Sequence, residues 1–119
     1  MKIKWLKNPE EHDFTAAGDY LLLIYPPAVV GRIVQRLHNA VETEFKAKDI
    51  FRASGLSLLG ISNSHVGKNI RKIKDGKELS PILLIRDSIL GRVIIADGYH
   101  RLCAVYAIDE DAEIRCRLI

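Results

Sequence analysis

The stretch Val93–Tyr106, V-I-I-A-D-G-Y-H-R-L-C-A-V-Y, constrains this chain more than any other. Val93, Ile94, Ile95 and Ala96 are too few for a helix of ordinary length and suit a central strand buried on both faces. Asp97-Gly98 then turns the chain, because a residue without a Cβ takes a positive φ at little steric cost. Beyond the turn, Leu102, Val105, Tyr106 and Ile108 recur at helical spacing. Strand, turn and helix in immediate succession put Tyr99, His100 and Arg101 in a first helical turn. Such a turn offers unpaired N–H groups and the positive end of the helix dipole, both of which attract anions. Arg101 adds a permanent, fork-shaped charge suited to phosphate or carboxylate. His100 adds a group that donates, accepts or titrates near neutral pH. An oxyanion pocket is expected here.

The segments before this stretch alternate between helical and strand periodicity. Met1–Asp13 shows little periodicity and reads as an irregular lead-in, with Trp5 tucked onto the core. A short helix is expected from Thr15, with Ala16, Ala17, Tyr20, Leu21 and Ile24 on one side, until Pro26-Pro27 stops it. Pro27 suits the first turn of a second helix to His38, with Val30, Val34 and Leu37 inward and His38 on the surface near its end. Val41–Lys48 alternates with a period of two, predicting a half-buried edge or near-edge strand with Val41, Thr43, Phe45 and Ala47 inward. A brief helical turn follows from Asp49, ended by Ser54-Gly55, and Leu56–Ile61 reads as a packed connection.

Ser62-Asn63-Ser64 offers caps for a helix over His65–Asp75 with Val66, Ile70 and Ile73 in its core stripe. Lys68, Arg71, Lys72 and Lys74 crowd the rest of that helix, and Gly76 closes it. Ile82–Ile85 predicts a doubly buried strand antiparallel to Val93–Ala96, across a loop containing Gly91. Ile114–Ile119 closes the chain as a strand, with Arg115 and Arg117 facing away from the core. The order helix-helix-strand-helix-strand-strand-helix-strand describes a mixed α/β (α+β) domain with one small sheet and flanking helices.

The chain's 119 residues suit a single domain, residues 1–45 forming an N-terminal helical extension and residues 46–119 the core. A net charge of +3 permits contact with nucleotides or nucleic acid without requiring it. Cys103 and Cys116 fit no metal-ligand spacing and are expected as reduced thiols on packed faces. The longest apolar run, Tyr20–Val30, is broken by prolines and too short to cross a bilayer, and Met1–Asp13 lacks the apolar segment of a secretory signal. A cytoplasmic location without membrane contact is expected.

D-G-Y-H-R-L-C-A (Asp97–Ala104), preceded by G-K-E-L-S-P-I-L-L-I at Gly76–Ile85, resembles the ParB/sulfiredoxin superfamily of ParB-like nuclease domains. The resemblance covers roughly half the chain, from Ile61 onward. It implies a small mixed sheet with flanking helices and a Gly-x-x-Arg turn that cradles nucleotide phosphates. Three departures qualify it. Tyr99 stands where sulfiredoxin has its catalytic cysteine, so sulfinic acid reduction is not implied. Tyr99-His100 replaces the Glu-Arg of ParB, and the helix-turn-helix that follows in ParB is missing.

By that resemblance, the helix begun by Ser64 and His65 turns His65, Lys68 and Lys72 toward phosphate, opposite a cradle of Gly98, Tyr99, His100 and Arg101. The expected ligand is ATP or another nucleoside triphosphate, accompanied by Mg²⁺, or a phosphorylated small molecule. Asp97 and His100 are the candidate acid–base pair of a phosphotransferase or phosphohydrolase, although Asp-Gly is also an ordinary tight-turn dipeptide. No dedicated protein metal site is expected, since neither H-E-x-x-H nor paired C-x-x-C occurs. The alternative is a nucleic-acid-binding ParB-like nuclease module that lays its basic helix on backbone phosphate.

Overall fold

In the computed structural model, which describes residues 2–119, the strands foreseen from the apolar runs form a four-stranded sheet with different helices on its two faces. In chain order the elements are β1 (Lys4–Trp5), α1 (Glu11–Leu21), α2 (Pro27–Asn39), β2 (Glu42–Lys46), α3 (Ala47–Ser54) and α4 (Ser64–Lys74). They continue with β3 (Glu78–Leu79), β4 (Ile82–Asp87), β5 (Arg92–Asp97), α5 (Tyr99–Ile108) and β6 (Glu113–Leu118). The fold is mixed α/β, as the element pattern foretells.

The main sheet has the order β2-β6-β4-β5. β6 runs antiparallel to β2 and parallel to β4, while β4 and β5 form an antiparallel hairpin. β5 therefore lies at an edge, not at the centre. A parallel neighbour needs a long crossover, which α5 supplies, and β6 returns on the far side of β4. β1 and β3 pair separately as a parallel two-stranded ribbon, so the chain builds two sheets where one was expected.

The continuous apolar run in β4 is explained by burial on both faces. Leu83 and Ile85 join Ile94 and Ala96 of β5 beneath Phe14, Ala17 and Leu21 of α1 and Val30 and Leu37 of α2. Ile82 and Leu84 join Ile95, Ile114 and Cys116 on the opposite face, under residues of α3, α4 and α5. Both cysteines are buried and unpaired, and burial pushes the Cys116 thiol up to about 12.

Several local expectations need correction. The lead-in contains β1, with Trp5 packed against the core, and α1 starts at Glu11 because Glu10 and Asp13 form a reciprocal capping box. Its inward face is Asp13, Phe14, Ala17 and Leu21, whereas Ala16, Tyr20 and Ile24 are exposed. β2 is an edge strand, on which Phe45 is 40% exposed; Val41, just before it, is 81% exposed. Glu42 is drawn inward by Arg117, whose Nε lies 2.8 Å from its carboxylate. Arg117 is buried, not solvated, and also donates to the carbonyls of Leu37 and His38 and to Asn8. Ala47 opens α3 instead of ending β2, and Gly55 terminates that helix in the left-handed region at φ +68°. Leu56, Leu58 and Ile61 are exposed, so the connection after α3 is not a packed one. α4 keeps its expected stripe of Val66, Ile70 and Ile73. No helix among the described residues is long and apolar enough to cross a membrane.

Candidate functional site

Gly98 sits between the end of β5 and the first turn of α5 with φ +109°, a conformation that L side chains rarely adopt. A Cβ there would meet Ile82 Cγ2 at 2.3 Å, so β4 excludes any side chain as well. Gly98 provides no side-chain cap, and the first amides of α5 have no intrahelical acceptor. The start of α4 differs. Asn63 accepts hydrogen bonds from the amides of His65 and Val66 at 3.0 and 3.2 Å, so this end already has its cap. The two ends do approach each other, with the rings of His65 and His100 4.9 Å apart and tilted by 48°.

Between them opens a cleft of about 210 Å³. Of the candidate site residues, His65, Lys72, Asp97, Gly98, His100 and Arg101 line it. Ser64 and Lys68 do not; both are exposed on α4 outside its walls. Tyr99 turns away, donates its hydroxyl to the carbonyl of Ser57 and helps line a second hollow of about 380 Å³. The two cavities share Asp97, Gly98 and His100, and Tyr20, Leu56, Ile95 and Ala96 give the second a largely apolar wall.

The floor of the cleft is an ion-pair cluster that the sequence does not reveal. Arg101 donates from Nη2 to Asp97 at 3.0 Å and to the Pro81 carbonyl at 3.4 Å, and its Nη1 lies 3.7 Å from Asp13. Only its Nε is buried without a partner. The Asp13 side chain, 3% exposed, also accepts hydrogen bonds from the Ser80 hydroxyl and the Glu10 amide. Glu10, Asp13, Glu78 and Asp97 thus face Lys72 and Arg101 across one cleft, four carboxylates against two permanent cations. The only local signal of Asp13 is its place three residues after Glu10, ahead of an apolar helix, which is the spacing of a capping box.

Burial raises the Asp97 carboxyl above its ordinary value; Arg101 opposes this and the neighbouring Asp13 adds to it. Burial, then His65 and Arg101, lower His100, so its imidazole favours the neutral form. Tyr99 and Cys103, neighbours on α5, are both raised by burial. The cleft can therefore offer a neutral histidine, a half-buried carboxyl, an ammonium and the open amides of α5 to one ligand. Comparison with protein-family models, curated proteins and solved structures finds no match for this chain. The resemblance to the ParB/sulfiredoxin superfamily rests on its motif residues alone.

Proposed function

We infer that the cleft binds the phosphate of a nucleotide or of a phosphorylated small molecule. One observation carries this reading: the start of α5, which has no side-chain cap, borders a cleft lined by His65, Lys72 and His100. The adjoining hollow, walled by Tyr20, Leu56 and Ile95, is suited to an apolar or aromatic body attached to that phosphate. The excess of carboxylates disfavours a bare anion, so ATP or another nucleoside triphosphate would enter best as its Mg²⁺ complex. Among the described residues no group of three His, Cys, Asp or Glu is placed to hold a metal ion. The Mg²⁺ would then be held mainly by phosphate oxygens and water, with one or two carboxylates at most. As a phosphotransferase or phosphohydrolase, the protein would use the burial-raised Asp97 or the neutral His100 as its proton acceptor.

Thermal shift with ATP, ADP and inorganic phosphate, each with and without Mg²⁺, tests this reading through linkage. Lys72→Ala should reduce the shift while leaving the unliganded melting temperature in place. No shift with any of these ligands at millimolar concentration would defeat the proposal.

The nucleic-acid reading has its own support. Lys68, Arg71 and Lys74 are exposed on the outer side of α4, and steps of about 100° keep them within an arc of roughly 120°. Two or three phosphates neutralised there would give a shallow salt slope, about −2 to −3. Anisotropy of a labelled duplex across a salt series measures this: a slope of about −2 to −3 would support contact through α4, whereas one steeper than about −5 would mean a broader DNA surface elsewhere and favour nucleic acid over the pocket.

A further inference from the structure

At the opposite end of the β4–β5 hairpin from the cleft lies a slot of about 290 Å³ between the sheet and α3. Its walls are Phe45, Ile50, Ala53, Leu84, Val93 and Leu118. The slot exists because α3 has only eight residues and Gly55 turns the chain away just beyond Ala53, whose small side chain leaves the sheet uncovered. Phe45 contributes a large apolar wall from an edge strand while remaining 40% exposed, so the slot opens to solvent along its side.

The rim carries charge of both signs, but its carboxylates are paired. Asp49 is engaged by Arg52 at 3.4 Å, and Asp87 by Arg92 at 3.5 Å. Arg86 stands beside Val93 at the mouth with no carboxylate partner among the described residues. An apolar slot with one free guanidinium at its mouth selects a ligand with a hydrocarbon chain and an anionic head. An apolar cavity of about 150 Å³ suffices to hold benzene. A slot of about 290 Å³ has room for a longer, unbranched chain. We propose that this slot binds a medium-chain carboxylate, its alkyl chain against Phe45, Leu84 and Leu118 and its carboxylate on Arg86. The site is separate from the phosphate cleft and does not depend on it.

Titration calorimetry of the whole chain with hexanoate, octanoate and decanoate, below their micellar concentrations, tests the proposal. Affinity should rise about fourfold per added methylene until the slot is full. Arg86→Gln should weaken octanoate at least tenfold and leave octanol unchanged, and Ala53→Phe should abolish binding of both. Thermal melts of each variant establish that it is folded. Failure of all three acids to saturate at millimolar concentration would overturn the proposal, as would octanoate affinity indifferent to Arg86→Gln or to Ala53→Phe in folded variants. A sedimentation result in which the chain is a dimer that Ala53→Phe dissociates would overturn it too, assigning the slot to a second copy.

Discussion

Gly98 decides the candidate site at the scale of a single atom. With φ +109° and Ile82 Cγ2 at 2.3 Å from any Cβ, Gly98→Ala combines backbone strain with overpacking and should cost about 2–4 kcal/mol. Urea denaturation measures this directly, and an unchanged midpoint would contradict the strained turn. Arg101 looks in the sequence like a free phosphate ligand, but the structure commits it to Asp13 and Asp97. Removing it would leave two carboxylates facing each other without their cation, a loss of about 3–5 kcal/mol, so Lys72 is the more informative binding variant. His100 gives the cleft a pH dependence of definite sign. Burial, His65 and Arg101 depress it below 6.5, so the unfolded chain takes up that proton more readily than the folded one. Its contribution to stability is complete above pH 6.5 and is lost as the pH falls through the depressed folded value. His100→Gln should flatten the stability profile as the pH falls below 6.5 in chemical denaturation. Bound phosphate would favour the protonated ring, so a phosphate-induced melting shift should be larger at about pH 6 than at about pH 8. Because phosphate itself titrates in this range, the control is His100→Gln: an unchanged pH dependence in that variant would exclude His100 from the ligand contact.

At the scale of elements, what was legible in the sequence is what local chemistry decides. α4 is the clearest case: Asn63 caps it, Val66, Ile70 and Ile73 make its buried stripe, and Gly76 ends it at φ +72°. Asn63→Ala should therefore cost about 1 kcal/mol, read from the denaturation midpoint, with no change in fold. A loss near zero would mean that neighbouring groups satisfy those amides. β5 was legible as a strand because four apolar residues between turns permit little else, but its place at the edge was not. Strand order depends on where β6 inserts after α5, and no residue within β5 records that. β2 misled for a similar reason. Its alternation pointed Phe45 inward and Glu42 outward, until Arg117, seventy-five residues later, claimed Glu42 as its partner. The candidate site follows the same division. Gly98, His100, Arg101, His65 and Lys72 were legible from a motif and a helix, while Asp13 and Ser80 enter the cleft through long-range packing alone.

At the scale of the whole molecule, α1 and α2 of the first forty-five residues form one of the two layers on the sheet, and β2 is one of its strands. Phe14, Ala17, Leu21, Val30 and Leu37 cover Leu83, Ile85, Ile94 and Ala96, which would otherwise form an apolar sheet face open to water. The same segment supplies partners of the buried Arg117 and the half-buried Arg101. Asn8, Leu37, His38 and Glu42 receive Arg117, and Asp13 receives one side of Arg101. A chain consisting of residues 46–119 alone keeps β4, β5, α5 and β6 but strands Arg117 beside an uncovered sheet. An unpaired buried charge costs about 3–5 kcal/mol, and losing the apolar cover of four or five large side chains costs about 1.5–3 kcal/mol for each. Together these losses match the whole stability of an ordinary domain of this size, about 5–15 kcal/mol. Residues 46–119 should therefore show no cooperative thermal transition and should bind a dye that reports exposed apolar surface. Sharp melting with well-dispersed amide resonances would instead show that α3, α4 and α5 alone hold the sheet. Adding residues 1–45 as a separate peptide should restore cooperativity if the missing layer is the cause, because it returns both the apolar cover and the acceptors for Arg117 and Arg101.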